Sequence, residues 1–323
     1  MSNLQYAVIG VGNMGKNHAR SLHDMPEARL LAVADANLAV AQAVAGQYGC
    51  QAYDDYRKVL ALPGLQAVSV CVPTSMHTEV TMECLRQGKH VLLEKPIAPT
   101  IEEGRQLQAF AKAQGLQLMV GHIERFNPAV LKVKELLERG EIGRVVSIMA
   151  RRVGVFPPQI KDANIAVDLA IHDLDVVNYL LGELPTMVYS DKRRNHIEHR
   201  EDSVEFFLKY PSASAYVQAN WITPVKIRKL NITGTDGYIE MDYIGQKIKL
   251  FKSNYEKIRE EMAHIDGFFD YVLKYMEPDV MEISVAKREP LKEEIRYFIR
   301  CILQGIDVPN TFAIDALDIA LKA

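Results

Sequence analysis

The chain has 323 residues, 48% of them apolar and 24% charged, a composition of ordinary globular proteins that excludes fibrous and disordered classes. Its length calls for two domains with substantial cores. A formal net charge of -3 gives no electrostatic reason to expect nucleic acid or an anionic membrane, so a small molecule is the expected partner.

The start, MSNLQYAVIGVG, runs directly into strand-like sequence without a basic segment and long apolar run, which argues against a signal peptide. No apolar run reaches the length of a membrane span. Cys50, Cys71, Cys84 and Cys301 are scattered without a CxxC pair, as in a reduced, cytoplasmic protein.

From residue 4 to about 120, short apolar β-branched runs (LQYAVIG, RLLAVAD, AVSVCV, HVLLEK, LQLMVG) alternate with amphipathic stretches. That alternation predicts parallel strands joined by helices, a Rossmann-type α/β domain over residues 1–122. Gly10-Val11-Gly12-Asn13-Met14-Gly15 follows the first strand and opens a helix. The first glycine permits a tight turn, the second lets backbone approach a diphosphate, and the third lets helix pack on strand. Asp35 ends the next strand, where its carboxylate accepts hydrogen bonds from ribose hydroxyls and repels a 2'-phosphate, so NAD is the expected cofactor.

Two further groups fall at carboxyl ends of strands, where open α/β sheets bind ligands. Pro73, Thr74 and His77, within VPTSMH, are expected to line the nicotinamide ribose; Glu94 and Lys95, expected to bind the cofactor too, open the second group, where Lys95 can hydrogen-bond a substrate oxygen as it becomes a carbonyl. The bland alternative for Lys95 is a solvated strand-end lysine.

Beyond about residue 145, the runs SVEFFLKY, SAYVQANWI, IRKLNITG, GYIEMDY and QKIKLFK alternate with period two and are separated by turn signals. They predict a mostly antiparallel open sheet in an α+β domain over residues 123–323, with a helix near 167–181 and a carboxy-terminal helix beginning near Leu291 that packs back on the first domain. Asp168 and His172 are four apart at the start of the first of these helices, hence on one face. Histidine suits removal of a hydroxyl proton, whereas the alternative is an amino-terminal cap plus a packed histidine.

Taken in order, AVIGVGNMGKNHA, Asp35, VCVPTSMH, LLEKPIA and DLAIHDLDVVNYLLG resemble the glucose-fructose oxidoreductase and inositol dehydrogenase superfamily over nearly the whole chain. The resemblance implies that Lys95, Asp168 and His172 form the catalytic group, with Lys95 or His172 as general base, and that the protein is a homodimer or homotetramer through its second-domain sheet. It also implies a final helix longer than the DALDIALKA seen here. GHIERFNPAV, NWITPVKIRKLNITGTDGYIEMDY and EPLKEEIRYFI are most similar to members that oxidise the 3-hydroxyl of UDP-N-acetylglucosamine. Free polyols of the inositol type are the alternative substrate, and a non-catalytic NAD-binding regulator is a third reading.

A nucleotide-sugar substrate needs cations away from the reacting carbon. Lys226 and Arg228, on one face of a strand that Pro224 should bend at an edge or end, are the candidates, with Arg152 completing the site and Trp221 as a stacking surface; solvation of the outer sheet face is the alternative. No metal is expected: His196 and His199, near Glu198, Glu201 and Asp202, read as a solvated charged turn. His18 and His23 read as surface or packing residues of the first helix, and His122 and Arg125 as either cleft or structural residues.

Overall fold

The computed structural model describes residues 3–155, 164–196, 200–252, 280–308 and 312–323; Glu198 and His199 of the charged turn lie outside these. The chain forms two compact units: one comprises the described residues to Phe126 together with those from Arg288 to Leu321, the other those from Asn127 to Lys287 with Lys322 and Ala323.

In the first unit, β1 (Leu4–Ile9), β2 (Ala28–Ala34), β3 (Gln51–Tyr53), β4 (Ala67–Val70), β5 (His90–Glu94) and β6 (Leu118–Gly121) form one parallel sheet in the order β3-β2-β1-β4-β5-β6. All residues of β4 and β6 are buried, as strands covered by helices on both faces must be. The order reverses between β1 and β4, which leaves a crevice at the carboxyl ends of those strands. Of the helices α1 (Asn13–His23), α2 (Leu38–Tyr48), α3 (Tyr56–Leu60), α4 (His77–Arg86) and α5 (Ile101–Ala113), α1, α4 and α5 open beyond the carboxyl ends of β1, β4 and β5.

The helix Pro290–Gln304 joins this unit through Leu291, Ile295, Phe298 and Ile299, which share a core with Leu4 and Tyr6. The rings of Tyr6 and Phe298 meet edge to face at 6.4 Å. Each such buried side chain contributes about 1.5 to 3 kcal/mol. The part-exposed pairs Lys292–Asp24 and Arg296–Glu27 are of a kind that contributes about 0 to 1 kcal/mol, so apolar burial holds the helix.

The second unit carries β7 (Val145–Val155), β8 (Met187–Arg193), β9 (Ser203–Lys209), β10 (Ser214–Asn220), β11 (Ile222–Gly234), β12 (Gly237–Asp242), β13 (Lys247–Lys252) and β14 (Val280–Ile283) in the order β14-β13-β12-β11-β7-β10-β9-β8. Every pairing is antiparallel except that of β7 with β10. Val204, Phe206 and Leu208 are buried while Phe207 and Lys209 are exposed, the alternation of a sheet covered on one face. The cover is α6 (Pro128–Glu138) and α7 (Ile171–Leu181), whose contacts fall on β12 and β13 and on β7 and β10 respectively.

Pro224 does interrupt pairing, but not at an edge. β11 lies between β12 and β7, and its register against β7 shifts between Ile222 and Ile227. A bulge accommodates proline inside a sheet because the bulged residues owe the ladder no N–H donor.

Candidate functional site

The glycine turn is built by close approach. Gly10 has φ +82°, and a Cβ there would lie 2.7 Å from the carbonyl oxygen of Cys71; one on Gly15 would lie 1.8 Å from that of Gly10. Any side chain at either position would force β1, β4 and α1 apart. Around Gly12 the space is open within 4 Å. No side chain caps α1 and its first turn holds no acid, which leaves positive dipole and free donor geometry for a diphosphate, with Asn13 and Met14 exposed beside it. The residues present therefore fit a dinucleotide.

Asp35 Oδ2 accepts from Val11 N and Oδ1 from Asn37 N, both at 2.9 Å. These bonds fix the carboxylate beside the glycine turn and leave each oxygen a lone pair for a ribose hydroxyl.

At the ends of β4 and β5, Pro73 is exposed and Thr74 and Lys95 are half-buried. His77 and Glu94 differ from the expectation that their side chains face the cofactor. His77 is buried, with Nδ1 2.7 Å from the Pro96 oxygen and Nε2 3.0 Å from the Val72 oxygen. It ties the two strand-end loops together and so shapes the crevice from beneath. Burial pushes its imidazole below the ordinary value, against the pull of the two carbonyls. Glu94 is also buried, its Oε1 2.9 Å from His18 Nε2. His18, read from the sequence as a surface or packing residue, is thus a buried polar partner; its spacing with Gly15, Ala19 and Leu22 on the buried face of α1 was the available signal, since a histidine on such a face needs a hydrogen-bond partner.

In the second unit, Asn164 Oδ1 accepts from Val167 N at 2.9 Å, so Asn164 is the cap and Asp168 is not. Ala166–Ala170 form a π-helical turn, with Ile171 N bonded to the Ala166 oxygen, before α7 begins. Such turns often accompany functional sites. Asp168 and His172 are half-buried on a segment whose neighbours Leu169, Ala170, Ile171 and Asp173 are buried.

Two residues expected at a diphosphate site are committed elsewhere. Arg152 is buried in a bidentate pair with Asp173, Nε to Oδ2 at 2.5 Å and Nη2 to Oδ1 at 3.2 Å, and its guanidinium lies 4.9 Å from the Tyr243 ring centre. A fully buried carboxylate requires such a partner. Trp221 is 5% exposed, so it is a packing residue and not a stacking surface. Lys226 is exposed in the bulge, and Arg228 is half-buried with Nη1 donating to the oxygens of Val153 and Ile227. Arg228 shares its face with buried Leu230 and Ile232, so it does not solvate the outer face.

The charged turn is held by buried Asp202, whose carboxylate accepts from the backbone N–H groups of Asn195 and His196. No helix among the described residues is long and apolar enough to cross a membrane.

A family profile described as an oxidoreductase family with NAD-binding Rossmann fold matches residues 4–122, and one described as the GFO/IDH/MocA C-terminal domain matches residues 130–240. The chain is 30% identical over 316 residues to inositol 2-dehydrogenase of Rhizobium meliloti (strain 1021), covering 94% of this chain and 90% of that one. It is 28% identical over 302 residues to UDP-N-acetylglucosamine 3-dehydrogenase of Acidithiobacillus ferrooxidans, with the same coverage. A solved structure of the latter enzyme superposes with a TM-score of 0.85 at 26% identity, over 100% of this chain and 97% of that one. Levoglucosan dehydrogenase in complex with NADH and levoglucosan shares the fold, with a TM-score of 0.82 at 22% identity over 99% and 95% of the two chains.

Proposed function

The chain belongs to the GFO/IDH/MocA oxidoreductase family, an NAD-dependent family, and on that premise we propose that it oxidises a secondary hydroxyl of a sugar, the 3-hydroxyl of UDP-N-acetylglucosamine. NAD, when bound, is the hydride acceptor. His172 takes the hydroxyl proton, Lys95 hydrogen-bonds the oxygen as the carbonyl forms, and Asp168 positions one of the two. The observation that carries this reading is at the start of the second unit's helix. Asn164 does the capping, so Asp168 is not spent on the helix end, and both Asp168 and His172 stay part-exposed on an otherwise buried segment.

Lys226 and Arg228 bind the diphosphate in this reading, without Arg152. The likeness to a UDP-N-acetylglucosamine 3-dehydrogenase over almost the full length of both chains supports the nucleotide sugar. The slightly higher identity to an inositol 2-dehydrogenase favours a second reading, a free polyol. Exposed Met149, Tyr189 and Phe207 on the uncovered sheet face support a homodimer or homotetramer through that face.

Calorimetric titration of UDP against the NAD-loaded protein separates the two substrates. The nucleotide-sugar reading predicts saturable binding that weakens in Lys226→Ala/Arg228→Ala, and absence of UDP binding to the native protein transfers the proposal to the polyol.

A further inference from the structure

His77 opens α4 and reaches past the ends of two strands with both ring nitrogens. Nδ1 lies 2.7 Å from the Pro96 oxygen and Nε2 3.0 Å from the Val72 oxygen, and the residue is 1% exposed. Val72 and Pro96 follow the last paired residues of β4 and β5, Val70 and Glu94, so the strand ladders no longer hold them. Both partners of the ring are carbonyls, which only accept. A neutral imidazole has one N–H and one lone pair, so it bonds one of them and sets its lone pair against the other. The shorter contact marks Nδ1–H as the donor of the neutral ring, which leaves the Val72 oxygen without a bond from it. Only the imidazolium, with two N–H groups, satisfies both carbonyls.

Burial disfavours that charge, as does the amino-terminal end of α4, and together they outweigh the two carbonyls and hold the ring below the ordinary imidazole value. Around it, Glu94 and Lys95 at the end of β5 act with opposite signs, and Cys71 at the end of β4 is kept a neutral thiol by burial. On α4 itself, Glu79 is exposed and paired with Arg57. Glu102 and Glu103, in the first turn of the neighbouring α5, bond Gln106 and Thr100. The empty crevice therefore holds a neutral His77 near about pH 7, bonded to one of the two segments it touches.

We propose that His77 is a positioning residue that couples NAD binding to uptake of one proton from solvent, the imidazolium tying the Val72 and Pro96 segments together beneath the bound cofactor. This rests on the cofactor's place at the ends of β4 and β5 and is independent of which hydroxyl compound is oxidised. Pro73 follows Val72 and Lys95 precedes Pro96, and both border the nicotinamide end of the crevice in the proposed function. A cofactor that touches both segments binds with less ordering cost when both are already tied. A dinucleotide also brings its diphosphate to the glycine turn at the end of β1, the strand beside β4, and that negative charge favours the imidazolium. Proton and cofactor thus select the same state, and each strengthens the binding of the other.

The test is calorimetric titration of NAD, without substrate, into the native protein and His77→Gln, in buffers of different ionisation enthalpy so that the protons taken up are counted. Binding raises a ring value that burial has depressed, so uptake is expected between the two values, near about pH 6, and fades by about pH 8, where the ring is neutral with or without NAD. The native protein should therefore bind NAD about three- to tenfold tighter at about pH 6 than at about pH 8. His77→Gln, which keeps an N–H donor and has no titrating group, should take up no proton and lose that pH dependence. Equal uptake in the two proteins means that His77 is merely structural and overturns the inference, as does NAD binding to the native protein with no uptake or with proton release. No NAD binding at either pH overturns the cofactor site and the inference with it, whereas proton-coupled binding in a protein that oxidises neither substrate overturns the proposed reaction alone. Should His77→Gln not fold, nitrogen NMR of the native imidazoles supplies the comparison. NAD at about pH 6 should then convert one ring to an imidazolium whose two N–H protons exchange slowly with water, as those of a buried ring must, and the lack of any such ring contradicts the proposal.

Discussion

At its glycine turn the first unit keeps polar groups for a ligand, whereas the second unit spends much of its charge on itself. Around the glycine turn, the geometry at Gly10 and Gly15 excludes any side chain and that at Gly12 leaves room for one, and Asp35 is fixed by two backbone donors with lone pairs to spare. In the second unit, Arg152 is consumed by Asp173, Asp202 by a turn, and Asn178 by the Tyr210 hydroxyl at 2.7 Å. Asp168, His172 and Arg228 are only half-buried there, and Lys226 is exposed. A parallel sheet with both faces covered can place chemistry only at strand ends, while a sheet with one covered face needs internal ion pairs to bring charged residues beneath its helices.

If that division holds, the largest effect falls on His172. His172→Asn should lower the oxidation rate by about 10² to 10⁴-fold, the usual contribution of a general base, with NAD affinity nearly unchanged in a titration. A loss below about tenfold would move the base to Lys95.

Arg152 should respond in stability instead. Arg152→Leu leaves Asp173 buried without its partner and should cost about 3 to 5 kcal/mol in denaturant unfolding, with much of it recovered in Arg152→Leu/Asp173→Leu. A folded, stable Arg152→Leu that has lost only UDP binding would return Arg152 to the substrate site.

These contrasts explain what could be read from sequence. Gly10, Gly12, Gly15 and Asp35 were legible because backbone geometry dictates residue type locally. The mostly antiparallel second sheet was legible from period two, but the parallel pairing of β7 with β10 was not, since pairing partners leave no trace in a strand's own pattern. Pro224 announced broken pairing, though nothing local told an interior bulge from an edge. The burial of Arg152 depends on a carboxylate 21 residues away, and the cap at Asn164 lay outside the motif that drew attention to Asp168. The short β3 and the helix Tyr56–Leu60 carry too few residues to show a period.

Asp35→Ser gives a smaller effect. It removes the charge that repels a 2'-phosphate and one of two acceptors for Val11 N and Asn37 N, so NAD should weaken and the NAD-to-NADP affinity ratio should fall about tenfold. A native protein that binds NADP more tightly than NAD in calorimetry would contradict the reading of Asp35.

The smallest effect is on stability against pH. Burial holds His77 and His90 below the ordinary imidazole value, and His90 Nδ1 accepts from Gln117 N at 3.0 Å, a bond that protonation removes. With the folded-state values depressed, the unfolded chain takes up protons first. Their contribution is present above about pH 6.5 and is lost as pH falls from there through the folded-state values. The denaturant midpoint of the first unit should therefore drop between about pH 7.5 and about pH 5.5, less so in His90→Gln; a midpoint that rises would reverse the assigned direction.

Oxidation itself can be followed as NADH formation by absorbance, with NAD and either UDP-N-acetylglucosamine or myo-inositol. NADH is expected from UDP-N-acetylglucosamine, and its loss in His172→Asn. No NADH from either compound, in protein that binds NAD, would contradict it.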